Sequence, residues 1–538
     1  MDRRRARGVE AAPEMLGLEY NAAAQQGRPV VDGPRRDPCR RPRKWRRTAH
    51  SLGAGLGWHS RRWFPNWFTM VRHRSLALFV PCLLIACGTA WAAVPGPQPY
   101  RLDRGNRELR AIARTVSAAR VHADIAHLVS FGTRSSFSSY SGAGGHGVGA
   151  ARQWIAAQFR RDAAADGGRL QVRILRFTAP PGRGIPRATP MADVEAYLPG
   201  TDPRDPRVFV VGGHYDSRAT DLFDGHTAAP GANDDGSGTA VVLECARVLS
   251  RYRFRASIAF IAFEGEEEGL YGSRYAAAYA RAHRWDVAAM LNNDIVGGDN
   301  TPGRANHDRL RVFSQGVPPR LTPRQLRLLS WLGGANDSPS REVARYAAAL
   351  AAGYLPDFRV VLEFRQDRYL RGGDHISYNA AGYPAVRFTD YYENYDHQHQ
   401  TVRRVDGVQY GDLIRFTTPA FAAQAARVNA LTLAALALAP PAPGWVHFAP
   451  KLESGTTLAW QAVRGAASYR VWLRPTAAPQ WTESLAVSGT ALHLRQSKDN
   501  YFIAVAAVGA DGLASLPALP TLARRRPAAK PRAAAARR

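Results

Sequence analysis

The segment SIAFIAFEGEEEGLYGS, residues 257–273, gives the clearest indication of how this chain folds. Residues 258–263 form a continuous apolar run, which predicts a β-strand buried on both faces. Four carboxylates follow this strand at once, at Glu264 and at residues 266–268. Carboxylates beside a buried strand repel one another strongly unless positive charge neutralises them. The stretch therefore predicts a buried sheet with an acidic loop at the end of one strand.

Outward from this strand, apolar runs alternate with helical segments. Residues 208–211, 287–291 and 383–388 are near-continuous apolar runs, and residues 239–252 show helical periodicity. Such alternation indicates an α/β fold with a mixed, largely parallel sheet flanked by helices. Sites in such sheets form at the carboxyl ends of the strands. Each chemically rich motif of this chain follows one of the predicted strands.

The pattern changes after a segment rich in Pro and Ala, residues 439–446, which is predicted to be a linker. Beyond it, short alternating strands predict a small all-β sandwich over residues 447–520. The sandwich resembles a fibronectin type III module, with Trp460 and Tyr469 as candidate core aromatics. Attachment to a substrate or surface and a passive appendage are equally open as its role.

The net charge of +28 is concentrated at the two ends of the chain. Residues 1–69 hold 15 Lys or Arg against 6 Asp or Glu, and residues 521–538 hold 7 against none, so these ends carry 16 of the 28 charges. Such composition predicts solvated, disordered tails. Neither tail contains a recognisable nucleic-acid module, so specific nucleic-acid binding is not expected.

Four further motifs offer metal ligands. GGHYDS places His214 and Asp216 at a strand end, where both side chains point the same way. PGANDDGSG contains Asp234 and a second acid, which either cap the following helix or place one carboxylate between two cations. NND ends at Asp294, and DHQH at residues 396–399 offers two imidazoles. Histidines with several carboxylates and no cysteine are typical of a hydrolytic metal pair rather than a structural zinc site.

In this order, the motifs resemble those of the M28 family of zinc aminopeptidases over about residues 121–438. The resemblance rests on GGHYDS, PGANDDGSG, the stretch 257–273, NND, and GDH at 373–375 followed by AGYP at 381–384. It implies a zinc exopeptidase, phosphorylase/hydrolase-like fold for residues 93–438.

The resemblance implies two zinc ions per chain. The metal ligands that it implies are, in chain order, His214, Asp234, Glu267, Asp294 and His397. Asp234 would bridge the two ions, Glu266 would be the general base, and Asp216 would orient the groups around the ions. The roles of Glu266 and Glu267 depend on the alignment of GLYGS, because a shift by one residue moves both.

The late histidine ligand is open between two residues of the DHQH motif. The family pattern has Asp four residues after this histidine, whereas here Thr401 follows His397 and Arg403 follows His399. The spacing favours His397. His375 is a further candidate for a supporting position or for the substrate pocket.

The resulting expectation is an aminopeptidase that hydrolyses peptides with a free N-terminus. Water shared by two zinc ions has a pKa near about 7, which provides hydroxide at neutral pH, with Glu266 as the proton acceptor. Two other classes remain open: a glutaminyl cyclase that uses one zinc on the same scaffold, and a catalytically inactive binding domain. The sequence leaves the oligomeric state open.

Residues 70–92 are predicted to be an export signal. A basic start precedes an apolar run at residues 75–86, which is too short to span a bilayer stably. AWA at the end of this segment fits a signal cleavage pattern, and Cys87 fits a lipoprotein box. Both patterns predict a periplasmic or extracellular protein with no transmembrane span after signal removal. Residues 1–69 are then expected to be an upstream artefact, with Met70 as the true start.

Overall fold

The structure is a computed structural model that describes residues 98–102, 105–303 and 305–521. The segment 1–69, the predicted signal with Cys87, and all but the first residue of the basic tail 521–538 lie outside the described residues. The interpretations of these segments remain predictions.

The described residues form strands and helices that we number in chain order. The strands are β1 (Gln98–Pro99), β2 (Gln171–Ala179), β3 (Thr189–Leu198), β4 (Arg207–His214), β5 (Ser257–Phe263), β6 (Asp286–Asn293), β7 (Arg309–Ser314), β8 (Arg359–Glu363), β9 (Ala385–Asp390), β10 (Arg403–Val405), β11 (Val408–Tyr410), β12 (Val446–Phe448), β13 (Thr456–Trp460), β14 (Ser468–Pro475), β15 (Glu483–Val487), β16 (Ala491–Leu494) and β17 (Tyr501–Val508). The α-helices are α1 (Arg107–Thr115), α2 (Ala118–Ser130), α3 (Gly147–Ala165), α4 (Gly236–Leu249), α5 (Tyr271–Ala282), α6 (Pro323–Trp331), α7 (Pro339–Tyr354), α8 (His375–Ala381) and α9 (Pro419–Leu438).

Eight strands form one mixed sheet in the spatial order β2-β3-β5-β4-β6-β9-β7-β8. The four central strands β5, β4, β6 and β9 run parallel to one another. The outer strands β2 and β3 pair antiparallel, and β7 joins β9 antiparallel. The predicted α/β class, with a mixed and largely parallel sheet, is confirmed.

Helices cover both faces of this sheet because its central strands carry apolar side chains on both. Every residue of β4 and β5 is buried. Phe209 and Phe260 face the large cluster that contains α4 and α9. Val210 and Ile261 face a second cluster with α5. Alternate residues of each strand thus enter different cores, which explains the continuous apolar runs.

Helix α9 is the most apolar long helix among the described residues. It is long and apolar enough to cross a membrane, but 83% of its most apolar window is buried inside the protein. Its leucines and alanines belong to the large core cluster with the central strands. We therefore interpret α9 as a core helix.

Residues 302–370 contain no motif that indicates their structure, but they form regular strands and helices. They form β7 and β8, two strands at the edge of the sheet, and helices α6 and α7. β7 was not recognisable as a core strand because Arg309 and Arg311 interrupt its apolar pattern. Arg311 instead bonds to the carbonyl oxygen of Asp390 and to the carboxylate of Glu393.

The C-terminal strands form two antiparallel sheets, β1-β15-β14-β17 and β12-β13-β16. Trp460 and Tyr469 lie in the core between them, with ring centroids 5.6 Å apart. β1 comes from the N-terminal side of the α/β part and pairs with β15. Trp472 and Trp481 of the β-rich part belong to the same core cluster as the central sheet. The two parts are therefore packed together along a shared apolar seam.

Candidate metal centre

The acidic and histidine side chains predicted from sequence meet at the carboxyl ends of the parallel strands. His214 is the last residue of β4, and Asp294 directly follows β6. The acidic loop follows β5, and Asp234 lies in the loop before α4. Parallel strands end at one edge of a sheet, so residues distant in sequence converge there.

The acidic loop divides its carboxylates between two tasks. Glu264 is buried, accepts a hydrogen bond from the hydroxyl of Tyr215 at 2.5 Å and pairs with Arg152 at 3.3 Å. Glu268 accepts a hydrogen bond from Ser136 at 2.8 Å. The remaining pair, Glu266 and Glu267, turns towards the histidines. The structure thus brings to the cluster the two glutamates that the sequence alignment selected.

Two groups of three potential ligands lie side by side. His214, Glu266 and Asp294 form the first, and Asp234, Glu267 and His399 form the second; within each group the ligand atoms lie within 4.8 Å of one another.

Asp234 lies between the groups and faces a histidine with each oxygen. Its Oδ1 is 3.3 Å from Nε2 of His214, and its Oδ2 is 3.1 Å from Nε2 of His399. Nε2 of His399 is also 3.1 Å from Oε2 of Glu267. One carboxylate can therefore reach two cations at once.

The donor atoms fit a pair of cations. Nε2 of His214 and Oε1 of Glu267 are buried atoms without a hydrogen-bond partner. Buried polar atoms are normally satisfied, so such exceptions require an explanation. Imidazole nitrogens and carboxylate oxygens without thiolates are the usual ligands of hydrolytic metal sites. A bound cation at each group explains both the orphaned atoms and the crowded carboxylates.

The electrostatics of the cluster favour positive charge. Burial alone lowers the pKa of His399, but Glu267 and Asp234 reverse this and raise it to about 9. Burial raises the pKa of Glu266 well above its usual range, and nearby Asp294 and Glu267 raise it further. The neighbouring carboxylates contribute to both shifts, although burial is the larger cause for Glu266, and a bound metal ion would relieve their mutual repulsion.

Neighbouring acids hold the potential ligands in place. Asp216 has Oδ1 3.5 Å from Nδ1 of His214, and its Oδ2 accepts the backbone N–H of Glu267 at 3.1 Å. Asp235 caps α4 through the N–H of Gly238 at 2.8 Å. In PGANDDGSG, Asp235 therefore caps the helix, and Asp234 is one of the potential metal ligands. A Cβ on Gly238 would lie 2.2 Å from the carbonyl oxygen of Asn293, so only glycine lets α4 begin this close to β6.

The late histidine of the cluster is His399, and the prediction of His397 is corrected. Nδ1 of His397 is 2.7 Å from Oδ2 of Asp299, and its ring stacks on Phe416 at 3.7 Å. His399 has a left-handed backbone, with φ of 55°, and its ring reaches Asp234. The structure therefore places His399, and not the predicted His397, among the potential ligands, a difference that residue spacing does not reveal.

His375, the further candidate, belongs to neither ligand group and is fully buried. Its Nε2 is 2.9 Å from the carbonyl oxygen of Gln366 and 3.5 Å from Asp367. Burial lowers the pKa of His375 to about 4. Asp367 also lies 3.5 Å from Arg387, which contacts Asp294, so Asp367 and Arg387 connect His375 to a potential ligand.

Two residues beside the ligands were missed at the sequence level. Arg387 in β9 is completely buried, and its Nη2 is 2.7 Å from Oδ1 of Asp294. Oδ2 of Asp412 accepts the backbone N–H groups of Asn233 and Asp234 at 2.8 and 2.7 Å. An arginine within the apolar run 383–388 was a usable signal, because a buried charge needs a partner. Asp412 carried no comparable signal.

An α/β sheet with imidazole and carboxylate side chains grouped at its strand ends is typical of metal-dependent hydrolases. Residues 193–417 match the sequence model of peptidase family M28. A probable zinc metalloprotease of Leptosphaeria maculans is 41% identical over 408 residues, which cover 75% of this chain and 94% of the relative. A probable zinc metalloprotease of Pyrenophora teres f. teres is 42% identical over 417 residues, with coverage of 76% and 86%. The chain belongs to peptidase family M28.

Solved structures with a similar fold include the LapA aminopeptidase of Legionella pneumophila. It is 22% identical, with a TM-score of 0.44 and coverage of 63% of this chain and 77% of that one. The glutaminyl cyclase of Porphyromonas gingivalis is 19% identical, with a TM-score of 0.41 and coverage of 59% and 98%.

Proposed function

We propose that this chain is an exported aminopeptidase that holds two zinc ions and removes the N-terminal residue of peptides. The observation that carries the proposal is Asp234, whose two oxygens face His214 and His399 in adjacent ligand groups. The names of the related zinc metalloproteases support zinc. His214, Asp294 and Asp234 would hold one ion, and Glu267, His399 and Asp234 the other. The ligand His399 replaces the predicted His397.

Zinc, when bound, lowers the pKa of a coordinated water to about 7 and polarises a carbonyl oxygen as a Lewis acid. Glu266 is the residue that we assign to proton transfer. It is partly exposed at the cluster, so its carboxylate can reach both water and substrate. It takes a proton from the attacking water and delivers it to the departing amine.

Specificity for a free N-terminus follows from the charge of the site. Carboxylates surround both ligand groups, and Glu266 is partly exposed, so a substrate ammonium group that reaches the cluster can donate charge-assisted hydrogen bonds to a carboxylate. A blocked N-terminus lacks this charge and leaves a buried carboxylate unpaired, which is unfavourable. Export is proposed from the pattern of residues 70–92.

The test uses the purified full chain, zinc analysis by mass spectrometry, and matched peptides with free or acetylated N-termini. We expect bound zinc, release of the N-terminal residue from free peptides only, loss of activity with chelator and recovery with zinc. Internal cleavage of acetylated peptides would contradict the aminopeptidase assignment. Cyclisation of an N-terminal Gln without release of amino acids would instead establish the glutaminyl cyclase reaction.

A further inference from the structure

A groove of about 760 Å³ lies between the edge strands of the sheet and the loop after β9. Its volume is within the range of ligand sites. Arginines and tyrosines dominate its lining, which is composed of Gly303, Arg311, Phe313, Glu363, Arg365, Arg368, Tyr369, Tyr391, Tyr392, Glu393 and Tyr395. We refer to it as the arginine groove.

The arginine groove carries more cationic than anionic groups. Glu393 is buried and is shared by three arginines: Arg311 at 2.7 Å, Arg368 at 2.7 Å and Arg371 at 3.1 Å. Asp367 also pairs with Arg368, at 3.0 Å, so two carboxylates face these three guanidinium groups. Arg365 adds a fourth, exposed guanidinium, and Glu363 is the other acid of the lining.

Exposed aromatic side chains flank these charges. Tyr369 is 75% exposed, and Tyr392 and Tyr395 are each 53% exposed. The guanidinium of Arg365 lies 5.6 Å from the ring centroid of Tyr369. Large exposed aromatic residues grouped around a groove indicate a binding surface. Arginine beside tyrosine provides a charged contact and an apolar one for the same ligand.

The arginine groove is connected to the metal centre by direct contacts. Arg368, in the groove lining, donates to the carbonyl oxygen of Gly372 at 2.9 Å, and Arg387 donates to the same oxygen at 2.6 Å. Arg387 also contacts Asp294 at 2.7 Å. One backbone carbonyl thus separates the groove arginines from a side chain that touches a proposed ligand. The loop that lines the groove at residues 391–395 continues to His399, so the groove and the metal centre also share one segment of the chain.

We propose that the arginine groove binds a carboxylate of the peptide substrate, and that the enzyme prefers peptides with an anionic group downstream of the cleaved bond. The proposal rests on the proposed aminopeptidase function. The carboxylate is either the C-terminus of a short peptide or an acidic side chain. Guanidinium groups bind both through the same paired hydrogen bonds.

The test compares four free-amine tripeptides: Leu-Gly-Glu and Leu-Gly-Gln, each as C-terminal acid and amide. We expect kcat/KM to be about tenfold or more higher for peptides with a carboxylate than for the uncharged Leu-Gly-Gln amide. The acid and amide arms separate a C-terminal contact from a side-chain contact. Arg365→Gln and Arg311→Gln should each reduce this ratio, whereas Arg495→Gln, an exposed arginine of the β-rich part, should leave it unchanged.

A binding measurement separates failure of this inference from failure of the proposed function. Calorimetric titration of the Glu266→Gln variant with the same peptides should show tighter binding of the carboxylate forms. If no peptide is cleaved, the aminopeptidase assignment is wrong. The affinities measured by calorimetry then decide whether the arginine groove prefers a carboxylate. Equal kcat/KM and equal affinity for all four peptides would overturn the inference, as would Gln variants that weaken all four equally.

Discussion

The metal centre and the junction with the β-rich part both bury several carboxylates, but they balance them differently. At the junction, Asp337 contacts Arg474 and Arg345, and Glu342 contacts Arg345 and accepts a hydrogen bond from Trp481 at 2.9 Å. Each acid there has an arginine partner. Protein cations thus balance the buried acids at the junction, as expected where their role is to hold the scaffold together.

At the metal centre, the carboxylates outnumber the protein cations. Arg387 contacts one oxygen of Asp294, and the other partners are His214 and His399. Buried charge without compensation costs several kcal/mol per ion, so such a cluster either takes up protons, as the raised pKa of Glu266 indicates, or binds a cation. Changes at the centre should therefore alter metal binding and activity, and changes at the junction should alter stability.

The largest effect is expected for His399→Ala. This change removes the imidazole that faces both Asp234 and Glu267, so zinc content should fall and peptide hydrolysis should drop to background. His397→Ala is the matched control, because His397 contacts Asp299 and Phe416 instead. Full zinc content and activity in His399→Ala, with loss in His397→Ala, would restore the original prediction.

Glu266→Gln should lower kcat by about 10² to 10⁴, the usual contribution of a general base. Glutamine has the same shape but cannot accept the proton, so zinc content should stay close to that of the unmodified enzyme. Glu268→Gln is the control, since Glu268 lies in the same loop but bonds to Ser136. An equal loss of kcat in both variants would show that the loop conformation, and not proton transfer, determines the rate.

Arg474→Met should lower the free energy of unfolding by about 3 to 5 kcal/mol, because it leaves Asp337 buried with a poorer partner. Chemical denaturation followed by tryptophan fluorescence measures this change. Activity below the unfolding transition should be retained. The double change Asp337→Leu with Arg474→Met removes both charges and should cost less than Arg474→Met alone. A single variant as stable as the unmodified chain would exclude a scaffold role for this pair.

The fold was predictable from the sequence where strands are buried on both faces. Such strands form continuous apolar runs, because no side chain on either face has to be polar. β4, β5 and β6 were found in this way, and their ends located most of the site. β7 and β8 were missed, since they carry charged residues such as Arg309 and Arg359. At the edge of the sheet these side chains reach Asp308, a partner that periodicity does not reveal.

The motifs that form the site were predictable from the sequence, but the identity of the late histidine was not. His214, Asp234, Glu267 and Asp294 converge as expected. The choice between His397 and His399 depends on a left-handed backbone at His399 and on the contact between His397 and Asp299, both of which arise only in the folded chain. The roles of these residues in zinc binding remain predictions.

The smallest effect is expected for Asp216→Asn. Asp216 bears no ligand atom of either group, but it contacts the ring of His214 and the backbone N–H of Glu267, so it supports one ligand of each. Loss of such support typically lowers metal affinity by about 10- to 100-fold. Competition with a chelator should show this shift, with kcat near that of the unmodified enzyme at saturating zinc. Asp357→Asn, at an exposed acid far along the chain, is the control. Unchanged zinc affinity in Asp216→Asn would mean that the backbone carbonyl oxygen of Asp216, which lies 3.2 Å from Nδ1 of His214, fixes the ring without the carboxylate.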